Sequence, residues 1–240
     1  MSKLTRKELK KDPFLSVYYD DFLEFAERHY AKIIGVVLAA IVVFLAVNTW
    51  KRHERAQDVT ANALLGSGLE TFNAYVGAAP QDALGPGGAV YPTDEAKYKA
   101  ALQDFSQVVE KYPRQKAAEI ARYHVGLCQA ELGNTSAALK TLRQAAGASD
   151  AEIASLAKFA LGDELARAGK LPQAEQTFRE LTVHPTRSVP AAMAWLALAN
   201  VERASQPAEA RAIYQRLIQQ NGSDAYLEDS VKQQLATLPE

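Results

Sequence analysis

Cysteine is almost missing from this chain: Cys128 is the only one among 240 residues, which excludes an intramolecular disulfide and any thiolate metal cluster. The residues around it are apolar with helical spacing, so its expected role is a small buried hydrophobe and not a reactive thiol. An excess of charge is missing too. The net charge of −1 and isoelectric point of about 6.5 leave no global field to attract nucleic acid, and no nucleic-acid partner is expected. The third absence is clustered chemistry. His29, His53, His124 and His184 are dispersed, and none has a CxxC partner. The GPGG at Gly85 lacks the Lys-Ser/Thr of a phosphate-binding loop, and Gly66-Ser67-Gly68 is too short for a nucleophile elbow. Asp163-Glu164 reads as a solvated or bridging pair on a helical face. The chain is therefore expected to be no enzyme, with no catalytic residue, metal, cofactor or small-molecule substrate.

What is present begins with an uncharged run, Ile33 to Trp50, of 18 residues. At roughly 1.5 Å per residue it spans about 27 Å, close to the ~30 Å of a bilayer's hydrocarbon core. Tyr30 and Trp50 lie at its ends, where amphipathic rings favour the headgroup level, and Lys32 and Lys51 flank them as membrane-interface residues. A charged segment of 32 residues precedes the run and no small-residue cleavage pattern or lipid-accepting cysteine comes after it, so a retained anchor is expected in place of a removable signal peptide. Asp12-Pro13 starts a helix before it. Phe14, Tyr18, Phe22 and Phe25 then share one face, suited to the membrane interface or to a partner's membrane helix. The short tail carries seven basic residues, Lys3, Arg6, Lys7, Lys10, Lys11, Arg28 and Lys32, which places it in the cytoplasm and the long C-terminal part outside. Between Ala31 and Tyr75 there is no proline, so one helix can run from the anchor straight into the first repeat.

The rest of the chain repeats itself every 36 residues. ARYHVGLCQAELGNTSAALKTLRQA from Ala121, AKFALGDELARAGKLPQAEQTFREL from Ala157 and MAWLALANVERASQPAEARAIYQRL from Met193 align without gaps. Aromatics recur at Tyr123, Phe159 and Trp195, small residues at Ala138, Ala174 and Ala210, and large ones at Leu142, Phe178 and Tyr214. Gly126 and Gly162 match Leu198 in the third copy, while Gly133 and Gly169 stand where a first helix must end. Each copy is a helical hairpin. An earlier, interrupted copy reads Leu65-Gly66 and Leu69 as its first helix and Ala101, Phe105 and Val108 as its second, with about 23 residues inserted between them. At the other end Leu227, Val231, Leu235 and Leu238 form an apolar stripe, expected to cap the array or, alternatively, to plug its groove.

These residues resemble the tetratricopeptide repeat. Val125-Gly126, Ala138, Leu142 and Ala145 fit its pattern, as do Leu161-Gly162, Ala174 and Phe178, while its tryptophan position is held by Arg122, Lys158 and Ala194. The resemblance implies an all-α chain: a single transmembrane helix followed by a tetratricopeptide-like α-solenoid of about four helical hairpins. Its domains are a cytoplasmic basic tail with an amphipathic juxtamembrane helix (1–30), the membrane helix (31–51), a first repeat (52–114) with an inserted loop (77–93), three repeats of 36 residues (115–222) and a capping helix (223–240). In such proteins the first helices line a concave groove, whose positions here include Tyr123, Leu127, Phe159, Asp163, Trp195, Ala199 and Glu202. Tyr123, Leu127, Phe159 and Trp195 are the candidate partner-binding residues, although the aromatics fit the core equally well.

The arrangement as a whole resembles the bacterial YfgM-type family. That likeness implies a non-enzymatic, single-pass protein of the bacterial inner membrane with a periplasmic interaction domain. It further implies a scaffold or chaperone-like accessory of the Sec translocon, with the translocon, periplasmic chaperones and emerging client polypeptides as partners. A second likeness, carried by EKYPRQKAAEIARYHVG, is to periplasmic repeat scaffolds of outer-membrane assembly or cell division. The topology is open to a direct test: alkaline phosphatase fused after Glu240 is expected to be active, and an inactive fusion alongside an active cytoplasmic reporter at the same site would refute it.

Overall fold

Capping side chains start two of the helices, and left-handed glycines follow the ends of two. The computed structural model describes residues 13–77, 89–221 and 225–238, without the side chains of 13–27, 33, 220–221, 225–228 and 230. The basic residues Lys3 to Lys11, the loop around Gly85, the aromatic stripe from Phe14 to Phe25 and the side chain of Leu227 lie outside the described residues. The elements in order are α1 (Pro13–Phe72), β1 (Tyr75–Val76), β2 (Val90–Tyr91), α2 (Asp94–Lys111), α3 (Lys116–Glu131), α4 (Thr135–Ala145), α5 (Ala151–Arg167), α6 (Leu171–Val183), α7 (Ala191–Glu202), α8 (Pro207–Asn221) and α9 (Ala225–Ala236). Contacts divide the chain into two units, Met1–Ala56 and Gln57–Glu240.

In the first unit α1 carries the uncharged stretch. Its large side chains from Ile34 to Val47 are 47–69% exposed, and the most apolar 18-residue stretch has a mean hydropathy of 2.6 with none of it buried. By length and composition this is the one helix, among the described residues, able to cross a membrane. The Thr49 hydroxyl donates back to the carbonyls of Leu45 and Ala46, both at 2.9 Å, so it needs no outside partner.

The second unit is a stack of helical hairpins. Thr93 caps α2 by accepting from the Ala96 N–H at 3.1 Å, and Asp150 caps α5 by accepting from the Glu152 N–H at 2.9 Å. Helices α3 and α5 end on Gly133 and Gly169, at φ +74° and +72°. Asn134 N–H donates to the Gln129 carbonyl at 2.8 Å and Gly133 N–H to Ala130 at 3.0 Å; the same pair recurs 36 residues on, Lys170 to Leu165 at 2.9 Å and Gly169 to Ala166 at 3.0 Å. Both ends are Schellman motifs, which require the left-handed glycine. Consecutive helices pack as α3/α4, α5/α6 and α7/α8, with the last turns of α1 and α2 forming the earlier hairpin around Ala61, Leu65, Ala101 and Phe105.

Within each hairpin a glycine meets a large residue. A Cβ on Gly126 would lie 2.6 Å from Leu142 Cδ2, and one on Gly162 would lie 2.6 Å from Phe178 Cζ. In the interrupted copy this role falls to Gly68, whose Cβ would be 2.7 Å from Phe105 Cε1, and not to Gly66, around which there is nothing within 4 Å. Ala61, Leu65 and Gly68 are spaced i, i+4, i+7 and so share the face turned to α2. The insertion is accordingly about 21 residues, since Gly68 precedes Ala101 by 33 positions against 12 from Gly126 to Ala138. Its neck is not irregular: Tyr75 and Val76 pair in parallel with Val90 and Tyr91, and the Gly77 N–H donates to the Tyr91 carbonyl at 2.9 Å.

Successive hairpins are tied by acids in the first turn of each first helix. Glu119 of α3 accepts from the Ser149 hydroxyl at 2.8 Å and the Ser149 N–H at 3.1 Å, just ahead of α5; Glu152 of α5 accepts from the Ser188 N–H at 2.8 Å, just ahead of α7. Helix α9 continues the register, because Val231, Leu235 and Leu238 come 36 residues after Trp195, Ala199 and Glu202. Val231 and Leu238 are buried with Ala199, Ala210, Tyr214 and Leu217, so α9 covers the open end of the last hairpin.

The two kinds of glycine predict opposite substitutions. Gly162→Ala is expected to lose about 1–3 kcal/mol by overpacking against Phe178, whereas Gly66→Ala is expected to gain about 0.5–1 kcal/mol from helix propensity. Urea unfolding monitored by circular dichroism measures both, and effects of equal sign would contradict the assignment of the crossing to Gly68.

Candidate functional site: the inner face of the first helices

The first helices of successive hairpins touch directly, α3 against α5 and α5 against α7, whereas no comparable contact joins α4 to α6 or α6 to α8 among the described residues. The closer spacing puts the first helices on the inner side of the array. Because the offset between repeats is constant, equivalent residues align in rows across them. Tyr123, Phe159 and Trp195 form one such row.

Each of these three is half-buried and packs against the buried cluster that contains Leu161, Leu165, Phe178 and Leu198. They are thus core on one side and surface on the other. Phe159 meets Phe178 edge-on at 5.4 Å between centroids, and the Arg216 guanidinium lies 5.8 Å from the centre of the Trp195 ring. Leu127 is half-buried and joins no buried cluster among the described residues. Ala199 and Glu202, expected on the groove, are not there: Ala199 is fully buried, and Glu202, 1% exposed, accepts from Arg179 at 2.6 Å between α6 and α7. The open depressions beside Glu95, Lys99 and Glu131 and along Glu175, Arg179 and Val183 include no residue of the aromatic row.

Asp163 departs from its expected role. Its neighbour Glu164 is 2% exposed with the Arg167 guanidinium at 3.5 Å, as a bridging acid should be. Asp163 itself is half-buried, one turn after Phe159, and makes no hydrogen bond or ion pair among the described residues. Burial pushes its carboxyl up to about 6, only partly offset by the charge of Arg167. Burial also raises the Tyr123 hydroxyl, and the charge of Asp163 raises it further.

A second group hidden from the sequence is His124, stacked on Phe105 at 4.8 Å and edge-on to Phe72 at 5.2 Å, with Tyr123 at 5.0 Å. Its Nδ1 is buried without a partner, and burial lowers the imidazole to about 4. No spacing signals this nest, since Phe72 and Phe105 flank the insertion. Cys128 is fully buried and its thiol is pushed up to about 12, chiefly by burial and then by the charge of Glu131. Among the described residues no group of three or more His, Cys, Asp or Glu is placed to hold a metal ion. On α1, Tyr30 and Trp50 are 65% and 71% exposed, and Lys32 and Lys51 are exposed beside them.

Paired helices, left-handed glycines at the hairpin turns and a constant 36-residue offset define an α-solenoid of two-helix repeats. The tetratricopeptide repeat family model matches residues 94–153 and 159–225, just over half of the chain, and the chain belongs to that family. Neither curated proteins nor solved structures gave a match. The family consists typically of interaction scaffolds without catalytic activity of their own.

His124 and Asp163 give stability opposite pH dependences. His124 is depressed in the folded state, so its contribution is present above the unfolded value near 6.5 and is lost as pH falls through about 4, by up to about 3 kcal/mol. Asp163 is raised, so it favours folding below about 4 and loses that contribution as pH rises through about 6. Melting curves across this range are expected to flatten on the acid side in His124→Phe. Asp163→Asn is expected to be more stable by about 1 kcal/mol at pH 7.5, after screening, with no gain at pH 4.

Proposed function

We propose that the protein is a membrane-anchored scaffold of the bacterial inner membrane, with α1 crossing the bilayer and the repeats on the periplasmic side. A helix stretch that is apolar all round and unburied needs either lipid or a protein partner around it, and the uncharged run from Ile33 to Trp50 comes close to the length of a bilayer core. Exposed Tyr30, Lys32, Trp50 and Lys51 at its two ends support the same reading.

The inner face of the first helices is the proposed contact surface, with Tyr123, Leu127, Phe159 and Trp195 receiving apolar segments of other polypeptides. The observation that carries this is the half-burial of a complete aromatic row, which a core alone does not need. An extended apolar strip suits an amphipathic helix or an unfolded hydrophobic segment. Anchored beside sites where envelope proteins emerge, such a surface would serve the Sec translocon and periplasmic chaperones as an accessory of the YfgM type.

A photoreactive residue tests this when placed at Leu127 on the strip or at Lys140, which is exposed on α4. In inverted inner-membrane vesicles translocating a labelled envelope precursor, crosslinks are expected from position 127 and not from 140. Equal yields at both positions would leave the strip without a special role.

A further inference from the structure

The aromatic row has a neighbour one helical turn away: Leu127, Asp163 and Ala199, again at intervals of 36. In these two rows together Asp163 carries the only charge. The charge of Arg167 acts on it and only partly offsets its burial. Arg167, one turn on in α5, bridges Glu164; Lys158 lies 3.5 Å from Glu180; and Arg179 holds Glu175 at 2.9 Å and Glu202 at 2.6 Å. Asp163 is therefore half-buried one turn after Phe159, coupled through its charge to Tyr123 and Arg167 and without a hydrogen bond among the described residues.

From this, and resting on the reading of the strip as a polypeptide-binding surface, we infer that it selects apolar segments carrying a lysine or arginine, whose cationic head seats on Asp163 between Tyr123 and Phe159. The carboxylate supplies a charge-assisted hydrogen bond that no group among the described residues makes with it. The ring of Phe159 and the phenol of Tyr123 add favourable faces for an ammonium or guanidinium. The long aliphatic stem of either residue can lie along Leu127 while its head reaches the acid. An anionic residue at the same place would be repelled, so the strip both attracts and rejects.

The full chain in nanodiscs of zwitterionic phosphatidylcholine provides the test, with empty discs as the blank. Three fluorescein-labelled 15-residue peptides of leucine, alanine and serine, capped at both ends, carry lysine, glutamine or glutamate at the central position. Anisotropy at pH 7.5 is expected to rank them lysine, glutamine, glutamate, with the first binding roughly tenfold tighter than the second. In Asp163→Asn the lysine-to-glutamine ratio is expected to fall to about 1, and Asp163→Ser serves as a second variant should the first not fold. Equal binding of the lysine and glutamine peptides to the unaltered protein, or a ranking that survives both variants, overturns the cation seat while leaving the strip intact. Binding of no peptide above the empty discs overturns the strip itself, and the cation seat with it.

Discussion

Everything in the repeat array depends on how closely the two helices of a hairpin approach. Where Gly126 faces Leu142 and Gly162 faces Phe178, the large side chain fills the volume a Cβ would need, so the helix crossing is tight and the same in both hairpins. A constant crossing makes each hairpin a copy of the last. Stacked copies then bring Tyr123, Phe159 and Trp195 into line, which no single repeat could do. The third copy lacks the glycine and reaches the same end differently. Leu198 turns into the cluster with Phe178, while Ala199, one residue later, is the small residue buried with Tyr214, whose hydroxyl donates to Asn200 at 2.6 Å.

The repeats also differ in how they hold one another. Glu119 and Glu152 reach forward from the first turn of one first helix to the residues just before the next, a tie that sets where each new helix starts. The carboxyl of Glu119 is raised by burial, but the N–H and hydroxyl of Ser149 and the N–H of Asp150 outweigh that and keep it low. For Glu152 the Ser188 N–H is the largest influence, and it too lies below the usual carboxylate range. Both acids are near the surface, so they fix direction more than they add stability. The apolar clusters under them supply the larger share.

The 36-residue period made the hairpins, their glycine turns and the row of aromatics legible, because those features depend on residue type at fixed spacing. Gly68 escaped because Leu65-Gly66 carries the familiar pair, yet the face turned to α2 is set by Ala61 and Leu65, and only Gly68 lies on it. The insertion hid the nest around His124 for a related reason: Phe72 and Phe105 come together only once the chain has looped out and back. Glu202 was misplaced since its repeat equivalents, Ala130 and Ala166, are half-buried, whereas Arg179 draws Glu202 inward. Spacing gives a side chain its row, but not the partner that turns it.

Buried polar groups divide this molecule into what the fold explains and what it does not. Glu202 and Glu164 have arginines beside them, Tyr214 has Asn200, and Glu119 and Glu152 have backbone donors. His124 has none at Nδ1, but a neutral imidazole stacked on Phe105 forfeits one hydrogen bond and no more. Asp163 has no such escape, because a carboxyl near 6 is mostly ionised at neutral pH. A neutral residue of similar size there would remove the desolvation of a charge without disturbing any contact the array makes. The acid is therefore a burden to folding, half-buried in an otherwise apolar row and offset only in part by the charge of Arg167.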